Sequence, residues 1–456
     1  MKEVTMNTRV KDMTTGNPLK LILLFALPLM AGNIFQQLYT VVDTMVVGNA
    51  LGVNALAALG ATDWFYWLVL GMVQGVTQGF AILMSKEFGA REYESLRKVV
   101  GISATLSGIC SLFFMGAGQL VAKTVLHLLN TPEAIMDTSL LYLRTLLWGI
   151  PIVMAYNLLA CILRSLGDGR TPLVAMVVAS VTNIILDVLF VFGFRWGVVG
   201  AAVATLIAQA LSSLVCLYKL GKIDFMTLKP DHFKPEAFLS WRLFGLGTPM
   251  ALQNAIIAVG GMILQGVVNG FGVAFIGGFT ATNKLYGILE IAAISYGYSM
   301  ITYAGQNRGA KRPDRIRKGM RYAILVAMIT SVVIATFMLV FGTGIIASFL
   351  SGTPEEVAEA TKVGYDYLTV MSLGLPILYV LHVTRSTVQG MGNTVLPMGS
   401  GIAEFVMRTG SALLLPTFIG SYGIFMAEVL AWVGADLILI PSYFVTVKKL
   451  ERQLDQ

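Results

Sequence analysis

Two carboxylates stand where nearly everything around them is apolar. Asp43 lies in the stretch QQLYTVVDTMVVG (36–48), with Tyr39 one turn and Gln36 two turns before it, so the three share one face of a helix. In VTNIILDVLF, Asn183 and Asp187 stand at i and i+4, and both side-chain oxygens leave one helix in the same direction. Thr205 follows in the next apolar run. Carboxylate, amide and hydroxyl oxygens together are the ligand set of a hard cation such as Na⁺, and two neighbouring carboxylates can equally share one proton. A third reading is that the acids only hydrogen-bond helices together.

The elements that carry these residues follow from composition. Of 456 residues, 56% are hydrophobic and only 12% charged, against roughly 25% charged in a soluble globular protein. The chain reads as an all-α integral membrane protein. Apolar runs long enough to cross a hydrocarbon layer of ~30 Å recur along its length. About twelve are expected, at 19–48, 54–84, 99–126, 140–164, 172–195, 197–219, 243–270, 275–304, 320–350, 363–390, 395–417 and 421–447. The first is preceded by about twenty polar residues, MKEVTMNTRVKDMTTGNPLK, which argues against a cleaved signal peptide. A charge deep in the bilayer costs about 2.5 to 3.5 kcal/mol on insertion scales, so each buried carboxylate needs a partner, a proton or a cation.

The net charge of +7 is not gathered on one face, which speaks against a nucleic-acid partner. About 25 of the 32 Lys and Arg fall at the N-terminus, in the connections 2/3, 4/5, 6/7 and 8/9, and at the C-terminus; Arg385 and Arg408 lie inside spans. This positive-inside bias predicts a multi-pass protein of the cell (plasma or inner) membrane with both termini cytoplasmic. Cys110, Cys161 and Cys216 lie within spans with no CxxC spacing, and His127, His232 and His382 are scattered. With no HExxH, P-loop or G-x-S-x-G pattern, no enzyme and no cofactor is expected.

The chain repeats itself. Pro28 and Pro249 are 221 residues apart, GAREYESLRK (89–98) and GAKRPDRIRK (309–318) 220, and Pro151/Pro376, Gly167/Gly392 and Pro172/Pro397 each 225. This order predicts two parallel six-helix bundles facing a central cleft, the geometry of alternating access: a cytoplasmic segment 1–18, an N-lobe 19–219, a linker 220–242, a C-lobe 243–447 and a tail 448–456. The pairs Gly75/Gly79 and Gly266/Gly270 have the small-xxx-small spacing that lets helix backbones approach.

At the offsets of Asp43 and Asp187 the second half has Leu264 and Ala412, so a cation site is expected in the first half only. The second half has acids of its own. Glu404 and Arg408 stand at i, i+4 and are expected to pair. Glu290 has no basic partner one turn away and reads as either a substrate contact or a structural one. Candidate cleft residues are Gln36, Tyr39, Asp43, Gln253, Gln265 and Glu290.

The ordered set of Pro28, Gln36, Tyr39 and Asp43, the paired GAREYESLRK and GAKRPDRIRK, LGDGRTP at 166–172, and Asn183, Asp187 and Thr205 resembles the multidrug and toxic compound extrusion (MATE) transporters over nearly the whole chain. The resemblance is to the bacterial DinF-like or MepA-like members, because the seventh span has Gln253 and Gln265 where another branch carries an acid, and the tenth span has no acid after Asp366. It implies an antiporter that exports cationic, amphipathic small molecules in exchange for Na⁺ or H⁺, as a monomer. It also implies a cation or proton site at Asp43, Asn183, Asp187 and Thr205, with a hinge in the first helix at Pro28. Proline removes a backbone hydrogen bond, which makes such a hinge physically reasonable. The alternative within the wider superfamily is a flippase for lipid-linked saccharides or related intermediates, whose cleft is expected to be rich in Arg and Lys.

Overall fold

Every expected span has a helical counterpart in the computed structural model, which describes residues 10–350 and 353–453. Residues 1–9 of the N-terminal segment and 454–456 of the tail lie outside the described residues. The helices are α1 (Pro18–Leu51), α2 (Val53–Gly89), α3 (Tyr93–Leu128), α4 (Glu133–Trp148), α5 (Ile150–Ser165), α6 (Arg170–Asp187), α7 (Gly197–Leu220), α8 (Ala237–Val268), α9 (Val273–Gly309), α10 (Pro313–Ser348), α11 (Pro354–Gly390), α12 (Val395–Leu414), the short α13 (Pro416–Ile419) and α14 (Tyr422–Arg452). No strand occurs among the described residues. Among the described residues ten helices are long and apolar enough to cross a membrane, and there are eleven if α4 and α5, which meet at a bend of 46°, are taken as one span. The expected span at 275–304 corresponds to α9, whose 37 residues would extend about 55 Å at ~1.5 Å per residue but which, with Lys284 and Glu290 inside it, is not among these apolar helices.

The internal repeat extends to backbone conformation. Arg91 and Lys311, at equivalent places in the two GAR/GAK connections, have φ of 61° and 55°, and Gly167 and Gly392 have φ of 78° and 84°. These are the left-handed residues that end a helix. The closing bonds repeat as well: Glu92 N–H donates to Glu87 O and Arg312 N–H to Asn307 O, Asp168 N–H to Leu163 O and Asn393 N–H to Val388 O. The next helix begins alike in each half. Asp168 Oδ1 accepts from Arg170 N at 3.0 Å and Thr171 N at 2.9 Å, while Asn393 Oδ1 accepts from Leu396 N at 3.2 Å. The halves differ at G-x-P: Gly149-Ile150-Pro151 marks the break between α4 and α5, whereas Gly374-Leu375-Pro376 sits inside the unbroken α11. Proline alone therefore does not decide the break.

Two compact units result, with boundaries that differ from the 19–219 and 243–447 division. Of the described residues, one unit comprises those up to Thr14 and Leu27–Ala255; the other comprises Thr15–Ala26 and those from Ile256 onward. The start of α1 is thus counted with the second unit and the start of α8 with the first. In the first unit the core joins Phe80, Leu83 and Met84 of α2 to Leu96, Val99 and Val100 of α3 and to Phe225 and Met226 of the connection. Gly75 and Gly79 meet the backbone of Ala251 and Gly247 on α8, with no room for a Cβ. The second pair behaves otherwise: Gly266 meets nothing and Gly270 only the carbonyl of Val267, in the turn that ends α8. Small residues at that spacing permit close approach but do not cause it. In the second unit Phe279 stacks on Tyr367 at 4.5 Å, and Phe425 lies 5.3 Å from Tyr367. Long apolar side chains stay exposed on α10, Ile329 at 57% and Val333 at 63%, as suits a surface solvated by lipid chains.

Candidate functional site

Three helices of the first unit hold the polar group. Asn183 Nδ2 on α6 donates to Thr205 Oγ1 on α7 at 3.4 Å. The side chains of Asp43 on α1 and Asp187 on α6 are close enough to interact directly. The four residues singled out by spacing are therefore neighbours. Asp187 and Asn183 are buried, and Asp43 is half-buried. Tyr39, one turn before Asp43, lies beside Gln36 and Gln209.

What distinguishes the group is its surplus of acceptors. Asp43 Oδ1, Asn183 Oδ1, both Asp187 oxygens and Gln209 Oε1 are enclosed and receive no hydrogen bond. A buried group left unsatisfied costs about 1 to 3 kcal/mol, and more when charged. Oxygens gathered from three helices, all lacking donors, fit a hard cation, and the facing carboxyls also fit a proton. Among the described residues there is no group of three or more His, Cys, Asp or Glu able to hold a metal, so a cation here would depend on the amide and hydroxyl oxygens.

The local backbone contributes to the arrangement. Directly after Asp187 the helix widens into a π turn, Val188–Gly193, with Phe194 N–H donating to Leu189 O at 2.9 Å. Such turns place helix side chains out of regular register. Beyond it, the rings of Phe190 and Trp196 pack at 4.8 Å. Two tyrosines from other helices lie within electrostatic reach: Tyr142 on α4 of Asp43 and Asp187, and Tyr66 on α2 of Tyr39.

The remaining candidates are dispersed. Gln253 is buried in the part of α8 that belongs to the first unit. In the second unit Gln265 Nε2 donates to Asn269 Oδ1 at 2.9 Å, near the end of α8. Glu290 on α9 is not without a partner: His382 Nε2 on α11 lies 3.1 Å from its Oε1. That partner is 92 residues away in sequence, where a search one turn along the helix does not reach. Pro28 lies within α1, which continues through it.

Glu404 and Arg408 pair at 3.0 Å as their spacing predicts, but within a larger network. Arg385 on α11 donates to the other oxygen of Glu404 at 2.7 Å, and Arg408 also binds Glu428 on α14. Sequence reasoning missed Gln209, Glu428 and Asp436. Gln209 was open to detection, since it lies one turn after Thr205 in the apolar run ATLIAQAL.

Comparison with known proteins agrees with this organisation. The MatE family model matches residues 28–189 and 249–414, two stretches that start at the equivalent prolines Pro28 and Pro249. The chain is 30% identical over 414 residues to a probable multidrug resistance protein, YpnP, of Bacillus subtilis (strain 168), covering 91% of this chain and 92% of that one. It is 24% identical to the multidrug export protein MepA of Staphylococcus saprophyticus, covering 90% and 88%. A crystal structure of a MATE in complex with MaL6 superposes with a TM-score of 0.90 at 22% identity, over 98% of this chain and 100% of that one. With the family model spanning most of the chain, in two copies that coincide with its internal repeat, the protein belongs to the MatE family of multidrug efflux transporters.

Proposed function

We propose that this transporter is a cation-coupled antiporter that exports cationic, amphipathic compounds from the cell by alternating access, driven by Na⁺ or H⁺ entering at Asp43, Asn183, Asp187 and Thr205. The observation that carries the reading is the set of buried oxygens without donors between α1, α6 and α7. Binding of either ion neutralises the facing carboxylates, which relieves their repulsion and weakens their attraction for a cationic substrate. The packing of α1 against α6 then changes, and Pro28 is where α1 can bend in response. The driving force is adequate, since one charge moving through 100 mV contributes about 2.3 kcal/mol. Coupling of this kind needs no cofactor. In the expected setting the protein is a monomer in the cell (inner) membrane with both termini in the cytoplasm.

The test is dye efflux from proteoliposomes with Na⁺ and pH gradients imposed separately. Uphill transport driven by one gradient identifies the coupling ion. No accumulation under either gradient, with correctly inserted protein, overturns the antiport reading.

A further inference from the structure

The second unit buries a charge cluster that the reading above does not use. Glu404 on α12 accepts from Arg385 Nη2 at 2.7 Å and from Arg408 Nη2 at 3.0 Å. Glu428 on α14 takes Arg408 through both oxygens, Nε at 3.0 Å and Nη2 at 2.8 Å. Two turns further along α14 stands Asp436, only 7% exposed and within electrostatic reach of Arg385 and Glu404. Its Oδ1 is buried and receives no hydrogen bond, and Arg385 Nε and Arg408 Nη1 are likewise buried without acceptors. Three carboxylates thus face two guanidiniums. With every group ionised the cluster carries one net negative charge, and one proton brings it to zero.

Burying a net charge in a membrane-spanning bundle is costly unless it is paired and hydrogen-bonded. Glu404 and Glu428 are each held by guanidinium hydrogen bonds. Asp436 has no such bond. Of the other titratable groups near the cluster, Tyr286 of α9 and Tyr367 of α11 lie within electrostatic reach of Arg408 and Glu428 and are uncharged as phenols. On α11, His382 lies one turn before Arg385 and is engaged with Glu290 of α9. The basic residues of α10 act at the far end of α14, where Arg317 binds Glu451 at 2.6 Å and lies, with Arg321, near Tyr443. The short α13 carries no charge.

We propose that Asp436 is a second proton-binding site of this protein, in the C-terminal unit, separate from the carboxylate pair of α1 and α6. Taking up the proton neutralises the cluster and turns Asp436 from an acceptor into a donor. Losing it leaves an anion for the free Nε of Arg385 to attract, so the proton controls how α14 packs on α11 and α12. Protonation at this site does not depend on which ion the first unit uses.

Infrared difference spectroscopy across a pH titration tests it, in lipid and on an Asp43→Asn/Asp187→Asn background so that the carboxyl pair of α1 and α6 is silent. The expected result is a protonated-carboxyl band that appears on acidification, is lost in the further Asp436→Asn variant and returns, shifted, with Asp436→Glu. Acidification spectra that are the same with and without Asp436→Asn overturn the proposal. So does a band that is present at every pH at which the protein stays folded, because Asp436 would then be a permanently neutral structural group. Since the readout is protonation, it stands or fails separately from the antiport assay.

Discussion

Asp43→Asn keeps the volume and shape of the side chain and removes its charge. If the oxygens around it bind the driving ion, the variant inserts and folds but no longer accumulates substrate against its gradient, and Asp187→Asn behaves alike. Wild-type uphill transport by folded Asp43→Asn protein in liposomes would show that the pair is structural. Gln209→Leu removes one of the donor-less oxygens without touching either acid. It should raise the ion concentration needed for half-maximal transport and leave substrate affinity unchanged; the reverse pattern would place Gln209 with the substrate. Glu290→Gln should weaken export of cationic substrates more than of neutral ones, whereas equal losses for both would indicate that its contact with His382 only holds α9 to α11. At this scale the sequence was readable where partners share a helix or stand alone in apolar runs, as with Asn183, Asp187 and Asp43. It was not readable where contacts cross helices, as in Glu290 with His382 or Arg408 with Glu428, because pairing across a bundle leaves no periodic trace in either segment.

The elements themselves were legible, since unbroken apolar length is what the bilayer demands of a helix, but several helices begin six to nine residues before the apolar run, as α11 does at Pro354 rather than 363. The finer events were not. The π turn after Asp187 and the break at Gly149 have no distinct sequence signature, and the same G-x-P leaves α11 whole. The repeated helix starts make a direct test of local energetics. Asp168→Ala removes the acceptor for two backbone N–H groups and the Thr171 hydroxyl at the start of α6 and should cost about 1 kcal/mol, comparable to the loss of a helix-start side-chain acceptor. Asn393→Ala, where the side chain accepts one backbone bond, should cost less, as read from unfolding midpoints in detergent. Gly79→Val forces side-chain atoms into the backbone of Gly247 and should destabilise by about 1 to 3 kcal/mol through overpacking. The same change at Gly266, where an added Cβ meets nothing within 4 Å, should be close to neutral; equal effects at the two sites would refute the packing argument.

For the molecule as a whole, the distribution of Lys and Arg sets an expectation for topology. Cysteines introduced beside Lys222 or Lys311 should be labelled from the cytoplasmic side alone, and labelling from outside would overturn the proposed orientation. The duplication was visible in the sequence through landmarks at constant offset, and the family model divides at the same places. How the halves share their first helices was not visible, because the divisions fall inside the continuous apolar runs of α1 and α8. That sharing bears on how the protein is made. The first unit extends to Ala255, more than half-way along the 456 residues, so its last packing partner leaves the ribosome only after the connection to the second half has already been synthesised. Domains commonly fold in order of synthesis, but here the earlier one must wait for the first turns of the later one. A nascent chain stopped before α8 would hold a first unit with Gly75 and Gly79 still uncovered, and an ancestral half-length chain would have needed a second copy of itself to complete the same contact.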